Sequence, residues 1–210
     1  MEIHVPDHPV TGWRETAKHL AIITAGVLIA LTLEGIVSWL DHRMLVREAV
    51  ANLTEEIRNN RKELNGMLES LDKERKQLEQ ADDIAEALLN HKAQEKFELS
   101  LNENAAELKN AAVTTGQITG AFGYMDYGAV SRYASVYDFQ AQFMRMQERD
   151  GQAFQAVLSF IPRFSGPSTP SPVSLEDWRS RIYAAMTAVG IREQIGRQLL
   201  KRYDEMLEGK

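Results

Sequence analysis

The feature that most constrains this chain is an apolar run from Leu20 to Leu40, LAIITAGVLIALTLEGIVSWL. A hydrocarbon core of about 30 Å is crossed by about 20 mostly apolar helical residues at 1.5 Å rise each, and the run meets that length. From Leu20 to Leu33 its only polar residues are Thr24 and Thr32, so it lacks the polar face that a soluble amphipathic helix shows. It outruns the apolar stretch of a cleavable signal peptide. It also ends in Ser38-Trp39-Leu40-Asp41 rather than in a small-residue cleavage site. Trp13 and Trp39 lie near its two ends, where indole rings favour the membrane interface. A short tail over 1–18 and a transmembrane anchor over 19–41 are therefore expected, with a buried hairpin helix as the alternative. Arg14 and Lys18 on one side nearly balance Arg43 and Arg47 on the other. Orientation then rests on the tendency of short N-terminal tails to stay inside.

Beyond the anchor, residues 42–210 of the 210-residue chain are enough for one domain with a real core. The chain has no cysteine, which removes disulfides, thiolate nucleophiles and Cys-ligated metal sites together. A net charge of −6 with no basic run argues against nucleic acid as a partner. Between Pro9 and Pro162 there is no proline. That interval is rich in Ala, Leu, Glu, Gln, Lys and Arg, which favours helix almost throughout. The alternation Phe97, Leu99, Leu101 is too brief to build a sheet.

No breaker interrupts the chain directly after the anchor, and a long helix is expected over about 42–90. Read in sevens, Val50, Ile57, Leu64, Leu71, Leu78 and Ala85 occupy one position, and Val46, Leu53, Asn60, Met67, Glu74, Ala81 and Leu88 the companion. This is a sustained heptad seam. It suits a partner chain, but a chain with three more helices to pack has its own use for it. Ser100-Leu101-Asn102-Glu103 has the form of a capping box and predicts a helix over about 101–121. Asp126 predicts the cap of a helix over about 126–161, with Gly151 as a candidate kink. Ser174 predicts the cap of a last helix over about 174–208, after a Pro-rich loop over 162–173. The expected fold is all-α: a single N-terminal transmembrane helix continues into a long helix that packs with about three others as an antiparallel bundle.

Glu34 is the sharpest chemical candidate. A carboxylate inside a spanning helix costs on the order of 2.5–3.5 kcal/mol at the bilayer centre and often marks function. Gly26, Ala30 and Glu34 are spaced by four and share one face, where small residues admit a close partner helix. The alternative is that Glu34, about 9 Å of helix from Leu40, reaches interfacial water. Gly116, Gly120 and Gly123 lie in VTTGQITGAFGYMDYG. No preceding strand and no following Lys-Ser/Thr make them a phosphate cradle, so close helix contact or a turn suits them better. With Tyr124, Tyr127, Tyr133 and Tyr137 they form either a packing cluster or the lining of a small-molecule pocket. His4 and His8 are separated by Pro6, which opposes helical metal-ligand spacing. No Glu-x-x-His, His-Glu-x-x-His or Gly-x-Ser-x-Gly occurs. No metal, cofactor or enzymatic reaction is expected.

At Gly26-Val27-Leu28-Ile29-Ala30-Leu31, then Glu34 and Trp39, then Leu53-Thr54-Glu55-Glu56-Ile57-Arg58-Asn59-Asn60, the chain resembles a widespread group of uncharacterised bacterial single-pass membrane proteins. They share a G-x-L-I-A-L helix ending in an acidic residue and followed by a long charged helix. The resemblance covers about Leu20 to Leu64. It departs in the tail, which is only weakly basic here. It implies an inner-membrane anchor with the C-terminal domain periplasmic or otherwise extracytoplasmic, and it carries over no catalytic residue.

The functional expectation is a non-enzymatic, membrane-anchored interaction or scaffold module. Its partners are the lipid bilayer and a second protein or a second copy of itself, met through the anchor helix or the heptad seam. An accessory subunit of a membrane complex is one form of this. The alternative is an extracytoplasmic small-molecule sensor. A tail of under 20 residues leaves no room for an output domain, so such a sensor would act through a partner protein.

Overall fold

The computed structural model describes residues 12–90, 99–161 and 170–209. Among them every regular element is helical: α1 (Trp13–Leu89), α2 (Ala111–Ile118), a 3-10 turn (Ala121–Tyr124), α3 (Tyr127–Leu158) and α4 (Pro172–Leu207). The chain divides into two compact units, Met1–Glu48 and Ala49–Lys210. The division falls seven residues after the boundary expected from hydropathy alone.

In the first unit the helix begins at Trp13, and every residue from Gly12 to Asp41 is exposed. Within it lies one stretch long and apolar enough to cross a membrane. The Thr32 hydroxyl donates to the Leu28 carbonyl at 2.7 Å, so this polar group is satisfied inside its own helix.

The second unit is a bundle whose core contains the heptad seam. Ile57, Leu64, Leu71, Leu78 and Ala85 are buried, as are Leu53, Met67 and Ala81 of the companion set. The seam therefore packs against the chain's own later elements. Arg61 pairs with Asp204, Arg75 with Glu193 and Asp82 with Arg179, so α4 runs antiparallel to α1. Tyr137 bonds Glu56 and Asn60 bonds Gln140, so α3 runs parallel to α1. Trp178 is fully buried, and its indole N–H donates to the Val157 carbonyl at 3.2 Å, which ties the start of α4 to the end of α3. At Gly196 a Cβ would come within 3.0 Å of Leu68 and 3.3 Å of Phe143. Glycine there lets α4 approach both α1 and α3.

The helix expected over about 101–121 is largely replaced. Residues 99–110 are not helical, and only Ala111–Ile118 form α2. The reason is reach. The Asn102 amide is held by Gln77 and the Ala112 amide by Glu56. At 1.5 Å per residue those α1 positions are about 32 Å apart, while residues 102–112 span about 33 Å extended and only about 15 Å as helix. An extended return connects the ends that a helix of this length would leave apart. The capping box is accordingly not formed: Ser100 Oγ accepts from the Asn102 side chain at 3.0 Å, and Glu103 turns to Arg192.

Two smaller shifts have local causes. The last helix starts at Pro172, not 174, because Ser171 is its cap, accepting from the Ser174 amide at 3.2 Å. Pro172 fits the first turn, where its missing N–H costs nothing and its φ is preset. Asp126 caps α3 as expected, accepting from the Ala129 amide at 3.0 Å. That helix runs through Gly151 and ends at Leu158. Phe97 and the loop residues 162–169 lie outside the described residues.

Candidate functional site

The polar residues inside the bundle form a chain of buried layers. The most charged layer takes one side chain from each of four segments: Glu74 of α1, Glu103 of the extended return, Asp150 of α3 and Arg192 of α4. Arg192 is 0% exposed and Glu74 3%. Its guanidinium bonds Glu74 through Nη2 and Glu103 through Nη1, the latter at 3.3 Å. Gly151 makes room for Glu103, since a Cβ there would lie 3.3 Å from both carboxylate oxygens.

Three carboxylates thus face one guanidinium, and Glu74 Oε2, Asp150 Oδ2 and Arg192 Nε are buried with no hydrogen-bond partner among the described residues. Burial pushes Asp150 up to about 6, aided by the charges of Glu103 and Glu74 and opposed by Arg192. Burial also raises Glu103, again against the pull of Arg192. Burial thus favours the protonated forms of Asp150 and Glu103, so the layer takes up protons at a higher pH than free carboxylates would.

A second layer clamps the extended return with side-chain amides. Asn60 Nδ2 donates to the Lys109 carbonyl at 2.7 Å, and Asn60 Oδ1 accepts from the Lys109 amide at 2.8 Å. Gln147 repeats this two-way pairing on Ala106 at 2.9 and 3.0 Å. Gln140 accepts from Tyr203 at 2.7 Å and donates to the Lys109 carbonyl at 2.9 Å. These amides supply the hydrogen bonds that a neighbouring strand would otherwise give an extended backbone. At the layer's edge Tyr137 donates to Glu56 at 2.7 Å. Burial, joined by that carboxylate, raises the phenol well above its ordinary range.

Near the other end, Arg179 grips Asp82 at 2.7 and 3.1 Å. Its hydrogen bond holds the carboxyl below the usual range despite partial burial. Arg197 and Arg75 lower Glu193 in the same way.

The residues expected to form the anchor's partner face, Gly26, Ala30 and Glu34, all lie on α1 and are exposed; a Cβ at Gly26 would meet nothing within 4 Å. The glycine and tyrosine cluster is divided. Tyr133 and Tyr137 are buried, whereas Tyr124 and Tyr127 are exposed, so the four phenols do not face one cavity. Gly116 is buried, and a Cβ on it would come within 2.7 Å of the Phe122 ring. Gly120 holds φ +74° and opens the 3-10 turn, a left-handed conformation that favours glycine. Both close the α2–α3 turn; at Gly123 a Cβ would meet nothing within 4 Å.

His4 and His8 lie outside the described residues, and among the described ones no group of three His, Asp or Glu side chains is arranged to hold a metal. Sequence reasoning passed over Arg192, Gln140 and Gln147, although each interrupts an apolar stripe at core spacing on its helix. No family model, curated protein or solved structure matches the chain.

Proposed function

We propose that this protein is a non-enzymatic interaction module of the bacterial envelope, fixed in the inner membrane by Leu20–Leu40, with the bundle on the extracytoplasmic side. The observation that carries the reading is the apolar run itself: none of its side chains is buried, and a surface so apolar needs lipid or protein around it. Arg14 stacks on Trp13 at 5.9 Å and Arg43 on Trp39 at 5.2 Å, which gives each end an aromatic and cationic pair suited to the headgroup region. The resemblance to single-pass bacterial membrane proteins supports the same compartment and orientation.

Within the membrane, Gly26, Ala30 and Glu34 offer a partner helix a face with little steric bulk and one carboxylate to bond. The partner is a second copy or another envelope protein, as for an accessory subunit of a membrane complex.

The test is membrane fractionation with a carbonate wash, then complex recovery in mild detergent. The protein should stay with the membranes. Glu34→Gln should weaken the complex in part, and Glu34→Leu and Gly26→Leu should weaken it further while still inserting. Release by carbonate would overturn the anchor. Wild-type recovery of all three variants would overturn the partner face.

A further inference from the structure

The turn between α2 and α3 lies at the end of the bundle where Ala49 enters it: the Ala112 amide and the Tyr137 hydroxyl both bond Glu56. This turn exposes Ile118 at 81%, Tyr124 at 53% and Tyr127 at 85%. Among the described residues, the other large apolar side chains exposed in this unit, Val173, Tyr183 and Ile191, are spread through α4. Scattered exposure of that kind is ordinary, but three such residues within positions 118–127 concentrate apolar surface in one turn.

The sequence around this turn is as unusual as its exposure. In a chain that is 26% charged, the only charged residue from Asn110 to Val130 is Asp126, and its carboxylate is engaged as the cap of α3. The turn is also firmly shaped, with the Phe122 ring packed against Gly116 and Gly120 fixed at φ +74°. Phe122 thus packs inward while Ile118, Tyr124 and Tyr127 face out.

We infer that this turn is a lipid-contacting surface, with Ile118, Tyr124 and Tyr127 seated in the headgroup region of the same bilayer that holds the anchor. The inference rests on the proposed anchor. Only residues 41–48 separate the apolar run from the bundle, a tether of about 12 Å as helix and under about 30 Å fully extended. Tyrosine suits that depth, since its ring is apolar and its hydroxyl is content in water. A protein partner steered by charge would find little here, since the one charge in the turn, Asp126, is already engaged as the cap of α3.

Because the chain has no cysteine, single nitroxide labels report depth without background. Full-length protein with Ile118→Cys, Tyr127→Cys, Leu28→Cys or Glu176→Cys is labelled and reconstituted in vesicles of phosphatidylethanolamine and phosphatidylglycerol. Collision with oxygen is compared with collision with a water-soluble nickel chelate. The oxygen-to-nickel ratio should be several-fold higher at 118 and 127 than at 176, with 28 higher still. Labels at 118 and 127 that match 176 while 28 reads as lipid would overturn the inference and leave the anchor standing. A label at 28 that reads as water would overturn both.

Discussion

Arg192, fully buried on α4, is bonded to Glu74, which α1 buries at a heptad position where an apolar residue would be expected. A buried pair of this kind contributes little net stability, but losing one partner strands the other charge. Arg192→Met should therefore destabilise the bundle by about 3–5 kcal/mol, and Arg192→Met with Glu74→Leu should recover part of that loss. Denaturant unfolding of the three chains in detergent measures the difference. Equal losses in the single and double variants would show that the two residues are not coupled.

The same layer sets a pH dependence with a definite sign. Asp150 is raised from an ordinary 3.8 to about 6 by burial, and Glu103 is raised too. The folded chain therefore binds more protons than the unfolded one across that interval. The associated stability is present below the ordinary carboxylate range and is lost as pH rises through about 6. Asp82 and Glu193 are lowered by their arginines, so their contribution falls away as the medium becomes more acid. Stability should peak between these limbs. Asp150→Asn should flatten the upper one, as thermal unfolding across pH 4 to 8 would show.

The extended return is clamped by side-chain amides. Asn60→Leu removes the acceptor of the Lys109 amide, while Gln140 still donates to the Lys109 carbonyl. Gln147→Leu leaves both backbone groups of buried Ala106 without their partner. The second should cost about 1–3 kcal/mol and the first less. Hydrogen exchange should show faster exchange of the Lys109 amide in the first variant and of the Ala106 amide in the second, with α1 still protected. Unchanged rates at both amides would mean that the clamps do not hold the segment.

Leu64 and Ile57 are fully buried in the seam. Leu64→Ala or Ile57→Ala should cost about 2–5 kcal/mol. Near-neutral effects on the chain's own unfolding would show that the seam serves another molecule.

Much of this architecture is legible in the residues. The seven-residue spacing from Val50 to Ala85 predicts the long helix, and its burial shows the seam to be internal. Asn60 and Glu74 stand out as polar members of that seam. Their meaning depends on Gln140, Gln147 and Arg192, each placed on an apolar stripe of a helix far away in sequence. The return segment reads wrongly as helix because its local signals, a capping-box pattern and Ala105-Ala106-Glu107-Leu108, favour that state. Its conformation is instead decided by distance to Gln77 and Glu56 and by amides on α1 and α3. Such long-range competition leaves no periodic trace. That Gly26, Ala30 and Glu34 share one side is readable from their spacing of four, because all three lie on one continuous helix.

The anchor's partner face is tested most directly by a photo-crosslinking scan of that helix in native membranes. Single cysteines replace Gly26, Leu28, Ala30 and Thr32 in turn, each carrying a benzophenone label. At about 100° per residue, 26 and 30 share the Glu34 side while 28 and 32 lie opposite. Protein adducts are expected from 26 and 30, at twice the chain's mass for a second copy or at a new mass for another subunit, with lipid-only products from 28 and 32. Adducts of equal yield around the helix, or none at any position, would contradict a partner face at Glu34.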